Sequence, residues 1–300
     1  MLWIPIAIGA ATLQVARNAA QRGLLAEAGP WGATLVRFLF GLPFAVAFAL
    51  SAAAFSGLAW PSVSPRFLIA CIIGGAAQIA ATAAMLVAMR RSSFAIGTVF
   101  QQSSIPFAAL IGLALGEPLG DWTWAGLALA TGGLVALGWP KSGVRDWSAA
   151  GLGLLSGLGF AVSANGVRQA THALDAGHPI FAALCTVVVV QAMQTLALGG
   201  WLAATDRRAL RVVAERWRES LPAGFFGAAA SALWFTAFAL APAGPVRAVG
   251  VVETPIAAVA GRRLFDERLS AGQLGLIVLV AIGVILAATG GHSAHMHQRP

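Results

Sequence analysis

Charged and amide side chains interrupt stretches that are otherwise apolar. Glu253 is the one carboxylate near the centre of such a stretch, two residues before Pro255. Arg17 and Arg37 interrupt two others. Gln14, Arg17, Asn18 and Gln21 are three or four residues apart, which places them on one helical face. Gln78 stands alone in a third stretch, and Gln101-Gln102-Ser103-Ser104 comes just before Pro106 in a fourth. Ser163, Asn165, Gln191 and Gln194 follow later. In hydrocarbon such groups are costly, and they face a cavity or one another. The chemistry they suit is binding. An arginine fork matches a carboxylate, amides supply hydrogen bonds, and a buried, unpartnered Glu253 would be a proton carrier. The candidate substrate-binding set is Arg17, Asn18, Phe38, Gln78, Gln101, Asn165 and Trp234. Glu253 is the candidate for proton coupling, and Pro106 and Pro255 are candidate helix kinks.

Each assignment has a plainer counterpart. Arg17 and Arg37 fall within about two turns of their helix ends, where long cationic side chains reach the headgroups. Glu253 could instead pair with Arg247 or another arginine. A proline leaves a carbonyl one turn back without its donor, so the Gln-Gln-Ser-Ser cluster could serve the backbone. Gln191 and Gln194 suit interhelical hydrogen bonding. Trp234 lies mid-stretch and suits an apolar wall against a substrate, whereas Phe38 is equally suited to packing. Trp3, Trp31, Trp60, Trp122, Trp124, Trp139, Trp147 and Trp201 fall near the ends of stretches, as in an interfacial belt. Cys71 and Cys185 have no paired spacing and read as buried thiols. No phosphate loop, nucleophile triad or metal-ligand spacing appears, and no cofactor is implied.

The elements that must hold these residues follow from composition. The chain is 58% hydrophobic and only 10% charged, with a mean hydropathy of +0.80. Soluble domains carry about 25% charged residues. These figures exclude a secreted disulfide scaffold, a nucleic-acid-binding domain and an enzyme with a large soluble part. A membrane span needs roughly 20 apolar residues. Breaks at polar, proline and glycine clusters predict ten helices, over 2–22, 31–54, 66–89, 92–115, 121–139, 148–170, 179–203, 222–241, 245–265 and 271–289. The expected class is an all-α polytopic membrane protein. Nothing basic precedes Trp3, and the first arginine is Arg17, so the opening segment is expected to stay as a helix rather than be cleaved.

The halves resemble each other. Pro106 aligns with Pro255, Glu117 with Glu267, Leu119 with Leu269 and Gly126 with Gly275, at offsets of 149 or 150. Five helices per half is an odd number, so the second half is expected inverted, with the substrate near the midplane between the halves. With the N-terminus outside, loops on the inner side hold 13 lysines and arginines and those on the outer side 3. The positive-inside rule then puts both termini outside. The loop 116–121 is acidic and its counterpart 261–268 basic, as inversion requires.

Five-plus-five helices, the small-residue box before each fourth helix of a half, the mid-helix prolines and the Gly-Glu-Pro-Leu and Asp-Glu-Arg-Leu motifs resemble the EamA-type branch of the drug/metabolite transporter (DMT) superfamily. The resemblance covers nearly the whole chain. Within that branch the chain looks most like the aromatic amino acid exporters of the YddG type. The resemblance implies an EamA-type repeat over 1–147, a second over 148–290 and a polar tail over 291–300. It also implies export of small amphipathic metabolites, amino acids foremost, by alternating access. Small multidrug-resistance relatives bind cations through a glutamate in their first helix. Here no acid precedes Glu27 and Arg17 stands instead, which argues against a simple cation/proton antiporter.

Export of other metabolites or drugs is the nearest alternative. A membrane-embedded lipid-modifying enzyme would show clustered Asp or His at a membrane face, and a passive scaffold would not need Glu253 or Gln101 at depth. The expected setting is the inner (plasma) membrane, with a small carboxylate substrate and lipids as partners and no nucleic acid. A monomer or weak homodimer is expected. Gly153-x-x-x-Gly157 could pair helices between subunits or within one chain. The basic stretch from Thr205 to Glu219 suits a topology-fixing loop or anionic lipid. His292, His295 and His297 belong to a tail rather than a metal site.

Overall fold

A computed structural model describes residues 2–92, 94–114, 121–138, 147–266 and 269–296. Among them there are helices and no strands. Helix α1 spans Trp3–Leu39 but bends in the middle. Gly29 takes φ 67° and ψ 176°, a conformation open essentially to glycine alone, and Pro30 cannot donate to the ladder behind it. The limb before the bend corresponds to the first expected helix. The limb after it, with α2 (Leu42–Ser56), corresponds to the second. Gly57, at φ 65°, terminates α2 in the left-handed form.

Helix α3 (Pro65–Arg91) starts on Ser64, whose hydroxyl accepts from the Phe67 N–H, with proline at the first helical position. Next come α4 (Phe94–Gln101), α5 (Ser104–Ala114), α6 (Asp121–Gly138), α7 (Trp147–Leu174) and α8 (Pro179–Thr205). The short helix α9 (Arg207–Glu215) is capped by Asp206. The order ends with α10 (Trp217–Leu240), α11 (Ala243–Val249), a 3₁₀ turn (Gly250–Val252), α12 (Glu253–Phe265) and α13 (Ala271–Met296).

With α1 divided at its bend, and α4 joined to α5 and α11 to α12, ten segments stand where the ten apolar stretches lie. Among the described residues six helical stretches are long and apolar enough to cross a membrane, the first of them the whole run Trp3–Ser56. The boundaries differ mainly at polar ends. The eighth helix was expected to begin at 222, but α10 begins at Trp217. Hydropathy marks where apolar sequence starts, whereas helical hydrogen bonding continues through the polar first turn.

Burial runs opposite to that of a water-soluble fold. In α3, Ile69, Ile72 and Ile73 are exposed while Gln78 and Thr82 are buried. In α8, Leu196 is 76% exposed while Gln191 and Gln194 are buried. An outward apolar face and an inward polar one are what a lipid-facing helix needs. The multi-pass membrane character rests on this pattern together with the long apolar helices.

The major pairings are α1 with α10, α3 with α7, and α6 with α13. Helix α2 packs on α8, α4 on α12 and α5 on α11. Small residues let these backbones approach. A Cβ at Gly166 of α7 would stand 3.0 Å from the Gly74 Cα of α3, and one at Gly159 would stand 3.0 Å from the Ala77 carbonyl oxygen. Gly153 and Gly157 face α4 and α5 of the same chain: a Cβ at Gly157 would lie 2.8 Å from the Ser104 nitrogen. That pair therefore packs within one chain. The repeat marks Glu117 and Glu267, and the aromatic Trp139, lie outside the described residues.

Candidate functional site

Two broken helices build the site. Pro106 has no N–H, so the Gln102 carbonyl lacks its usual donor four residues on. It accepts from the Ile105 N–H instead, at 3.0 Å. The Gln102 N–H reaches the Val99 oxygen at 2.9 Å and the Ser103 N–H the Phe100 oxygen at 3.1 Å. These tight bonds separate α4 from α5 and turn Gln101 to Ser104 inward, all of them buried. The second break is the 3₁₀ turn Gly250–Val252, just before Pro255. It places Glu253 at the start of α12, fully buried.

The two breaks bond to each other. Glu253 Oε1 accepts from Gln14 Nε2 at 2.6 Å. Its Oε2 accepts from Gln101 Nε2 at 3.2 Å and Gln102 Nε2 at 3.5 Å. Gln14 Oε1 in turn accepts from Trp234 Nε1 at 2.9 Å. Arg247 of α11 donates to Ser104 Oγ from Nε at 3.1 Å and from Nη2 at 2.8 Å. Its guanidinium lies 4.9 Å from the Trp234 ring centroid and 5.8 Å from that of Phe160, within cation–π range. Trp234 stacks on Phe238 at 5.6 Å.

Beside this network is a narrow cavity of about 20 Å³, room for about one water. Its walls are Gln14 and Arg17 from the first limb of α1, Arg37 from the second limb, and Gln78 from α3. Phe160, Ser163 and Ala164 of α7, Ser231, Trp234, Phe235 and Phe238 of α10, and Arg247 complete it. Arg37 donates to Thr82 Oγ1 at 3.0 Å and Ser231 Oγ at 3.3 Å, while its Nε has no partner. Arg17 donates from Nε and Nη2 to Asn18 Oδ1. Arg17 interacts electrostatically with Glu253 and Arg247, and Arg37 with Arg17. The cavity is therefore cationic, with an aromatic wall.

Arg17, Gln78 and Trp234, of the seven substrate-binding candidates, share the cavity. The other four lie elsewhere. Asn18 sits behind Arg17 and orients it. Gln101 faces Glu253. Asn165 bonds back to the Ala161 oxygen of its own helix at 3.0 Å, and Ser163, two residues away, faces the cavity instead. Phe38 is buried with Leu35, Leu198, Leu202 and Ala209 outside the cavity, its ring 4.8 Å from the Arg37 guanidinium. Arg17 and Arg37 are each 1% exposed, so neither reaches out to headgroups. Gln194 bonds to Gln78 Oε1 at 2.9 Å and to the Gly75 oxygen at 3.0 Å, a link between helices. Among the described residues, Glu253 makes no direct ion pair with arginine.

Gln14, Ser231, Phe160 and Arg247 were absent from the sequence-derived set. Gln14 was legible one helical turn before Arg17. Arg247 was visible only as an ionic partner for Glu253, because sequence spacing does not show that Ser104 receives it. Among the described residues no group of three or more His, Cys, Asp or Glu could hold a metal ion.

No family model matches this chain, and no curated protein matches it. A solved structure described as "Crystal structure of protein" aligns with 96% of this chain and 98% of its own, at 16% identity and a TM-score of 0.57. At that identity the likeness shows a shared fold and nothing of activity.

Proposed function

We propose that this chain is a secondary transporter of the inner (plasma) membrane, exporting small amphipathic carboxylates, a class that takes in apolar and aromatic amino acids and related organic acids. The carrying observation is the buried cavity that sets three guanidiniums beside an aromatic wall, between helices drawn from both halves. The guanidiniums suit a carboxylate, and Trp234, Phe160 and Phe235 suit an apolar body. A cavity of about 20 Å³ is smaller than such a substrate, so its walls must part for loading.

The helix pairings support an EamA-type inverted repeat. Exchanging the halves turns the α1–α10 pairing into α7–α3, and both occur. The α2–α8, α4–α12, α5–α11 and α6–α13 pairings map onto equivalent pairings under the same exchange. A pseudo-two-fold axis through the cavity would have this effect, and alternating access then amounts to rocking one half against the other. Glu253, held by amides from α1 and α4, is the candidate for proton coupling. Transport of labelled amino acids into proteoliposomes, with and without a pH gradient, tests the reading. Uptake that exceeds empty liposomes and saturates is expected. Movement of quaternary ammonium drugs without any carboxylate would reject it.

A further inference from the structure

The balance of buried charge is uneven. Arg17, Arg37 and Arg247 are at most 3% exposed, and Glu253 is the only buried carboxylate among the described residues. Three cations face one anion, a surplus of two positive charges. No arginine of the three has a charged hydrogen-bond partner: their acceptors are Asn18, Thr82, Ser231 and Ser104. The bonds to Glu253 come from Gln14, Gln101 and Gln102 and from none of the three arginines. Arg37 has only hydroxyls and the Phe38 ring, 4.8 Å from its guanidinium, to meet its charge, and its Nε is buried without a partner. Unneutralised charge in a low-dielectric interior is costly, and a cavity with room for about one water offers little screening.

A zwitterion does not remove this surplus. Its ammonium adds a like charge to a wall already rich in guanidiniums, and Gln14, Gln101 and Gln102 fill three of the roughly four acceptor sites of Glu253. Resting on the transporter reading above, we propose that the cavity selects small organic dianions with an apolar body over zwitterions of the same shape. One acidic group lies at Arg37 and the other between Arg17 and Arg247. Within the carboxylate class this favours dicarboxylates over neutral amino acids.

Three probes share one benzyl body and differ in charge: phenylalanine, a zwitterion; 3-phenylpropionate, a monoanion; and benzylmalonate, a dianion at mildly alkaline pH. Binding to the purified full-length protein in detergent is measured by calorimetry, and transport by counterflow in proteoliposomes. Affinity is expected to rise in that order, with benzylmalonate about tenfold or more tighter than phenylalanine. Arg37→Gln should shrink that gap, weakening benzylmalonate more than phenylpropionate. Phenylalanine binding as tightly as benzylmalonate overturns the proposal and leaves the transporter reading intact. A full gap in folded Arg37→Gln overturns the assignment to Arg37. If Arg37→Gln does not fold, the wild-type order alone decides. Absence of binding and transport for all three probes overturns both readings.

Discussion

Glu253, Gln14 and Trp234 form a relay in which each side chain fixes the next. A hydrogen bond to a charged, buried group contributes about 1.5–3 kcal/mol, and the loss is larger when a partner is left unsatisfied. Gln14→Ala removes the shortest bond to Glu253 and orphans the Trp234 N–H at once. It should lower substrate affinity by about tenfold or more, read as a raised KM in proteoliposomes. Trp234→Ala should lower affinity for substrates with aromatic bodies more than for short ones, because it removes the apolar wall and the face under Arg247. Normal transport by both variants at normal expression would place the site elsewhere. Glu253→Gln tests coupling. Downhill exchange should persist, while uphill export driven by a pH gradient is lost. Wild-type transport that is independent of pH would remove the coupling role. At this scale the sequence was legible where a polar residue stood out in apolar surroundings, as with Gln78 and Glu253, or where several shared one helical face, as with Arg17. It was not legible where neighbours compete for one face. Asn165 and Ser163 are two residues apart, and only the packing of α7 on α3 decides which one faces inward.

Helices carry the site by bending at chosen points, and the bends respond to single substitutions. Gly29 holds φ 67° with open space where a Cβ would go. Gly29→Ala should therefore cost about 1–3 kcal/mol through backbone strain alone. Gly200 of α8 also faces open space but has ordinary helical geometry. Gly200→Ala should be neutral or stabilise by up to about 1 kcal/mol. Thermal denaturation in detergent compares the two, and equal shifts would contradict the strain account. Gly166→Leu drives a side chain into the α3 backbone and should destabilise more than either substitution, because the facing residue, Gly74, has no side chain to move aside. The ten segments were legible because lipid demands long apolar helices. Their ends were less so, since the run of α10 back to Trp217 uses polar residues that hydropathy scores as loop. The breaks before Pro106 and Pro255 follow from the missing proline N–H. That they bond to each other through Gln101, Gln102 and Glu253 is a tertiary fact with no local signature.

At the scale of the molecule, orientation in the membrane can be read by labelling from one side. Cys71 and Cys185 are buried, so single added cysteines can be labelled against a quiet background. Ser62→Cys lies in the exposed connection before α3, and Arg208→Cys on exposed α9. A membrane-impermeant thiol reagent on whole cells should label Ser62→Cys and spare Arg208→Cys, as the excess of inner-side arginines requires. The reverse pattern would invert the topology. The spacing of Pro106 and Pro255 suggests two halves from sequence alone, while the exchange-symmetric helix pairings that support that proposal become visible only in the packing. The most direct test of the central claim, that a cationic cavity between the halves carries small carboxylates, is counterflow in proteoliposomes with wild type and Arg17→Gln side by side. The account predicts saturable accumulation of a labelled aromatic carboxylate by wild type, reduced about tenfold or more in Arg17→Gln. Equal accumulation by the two proteins, or none by wild type, would contradict it.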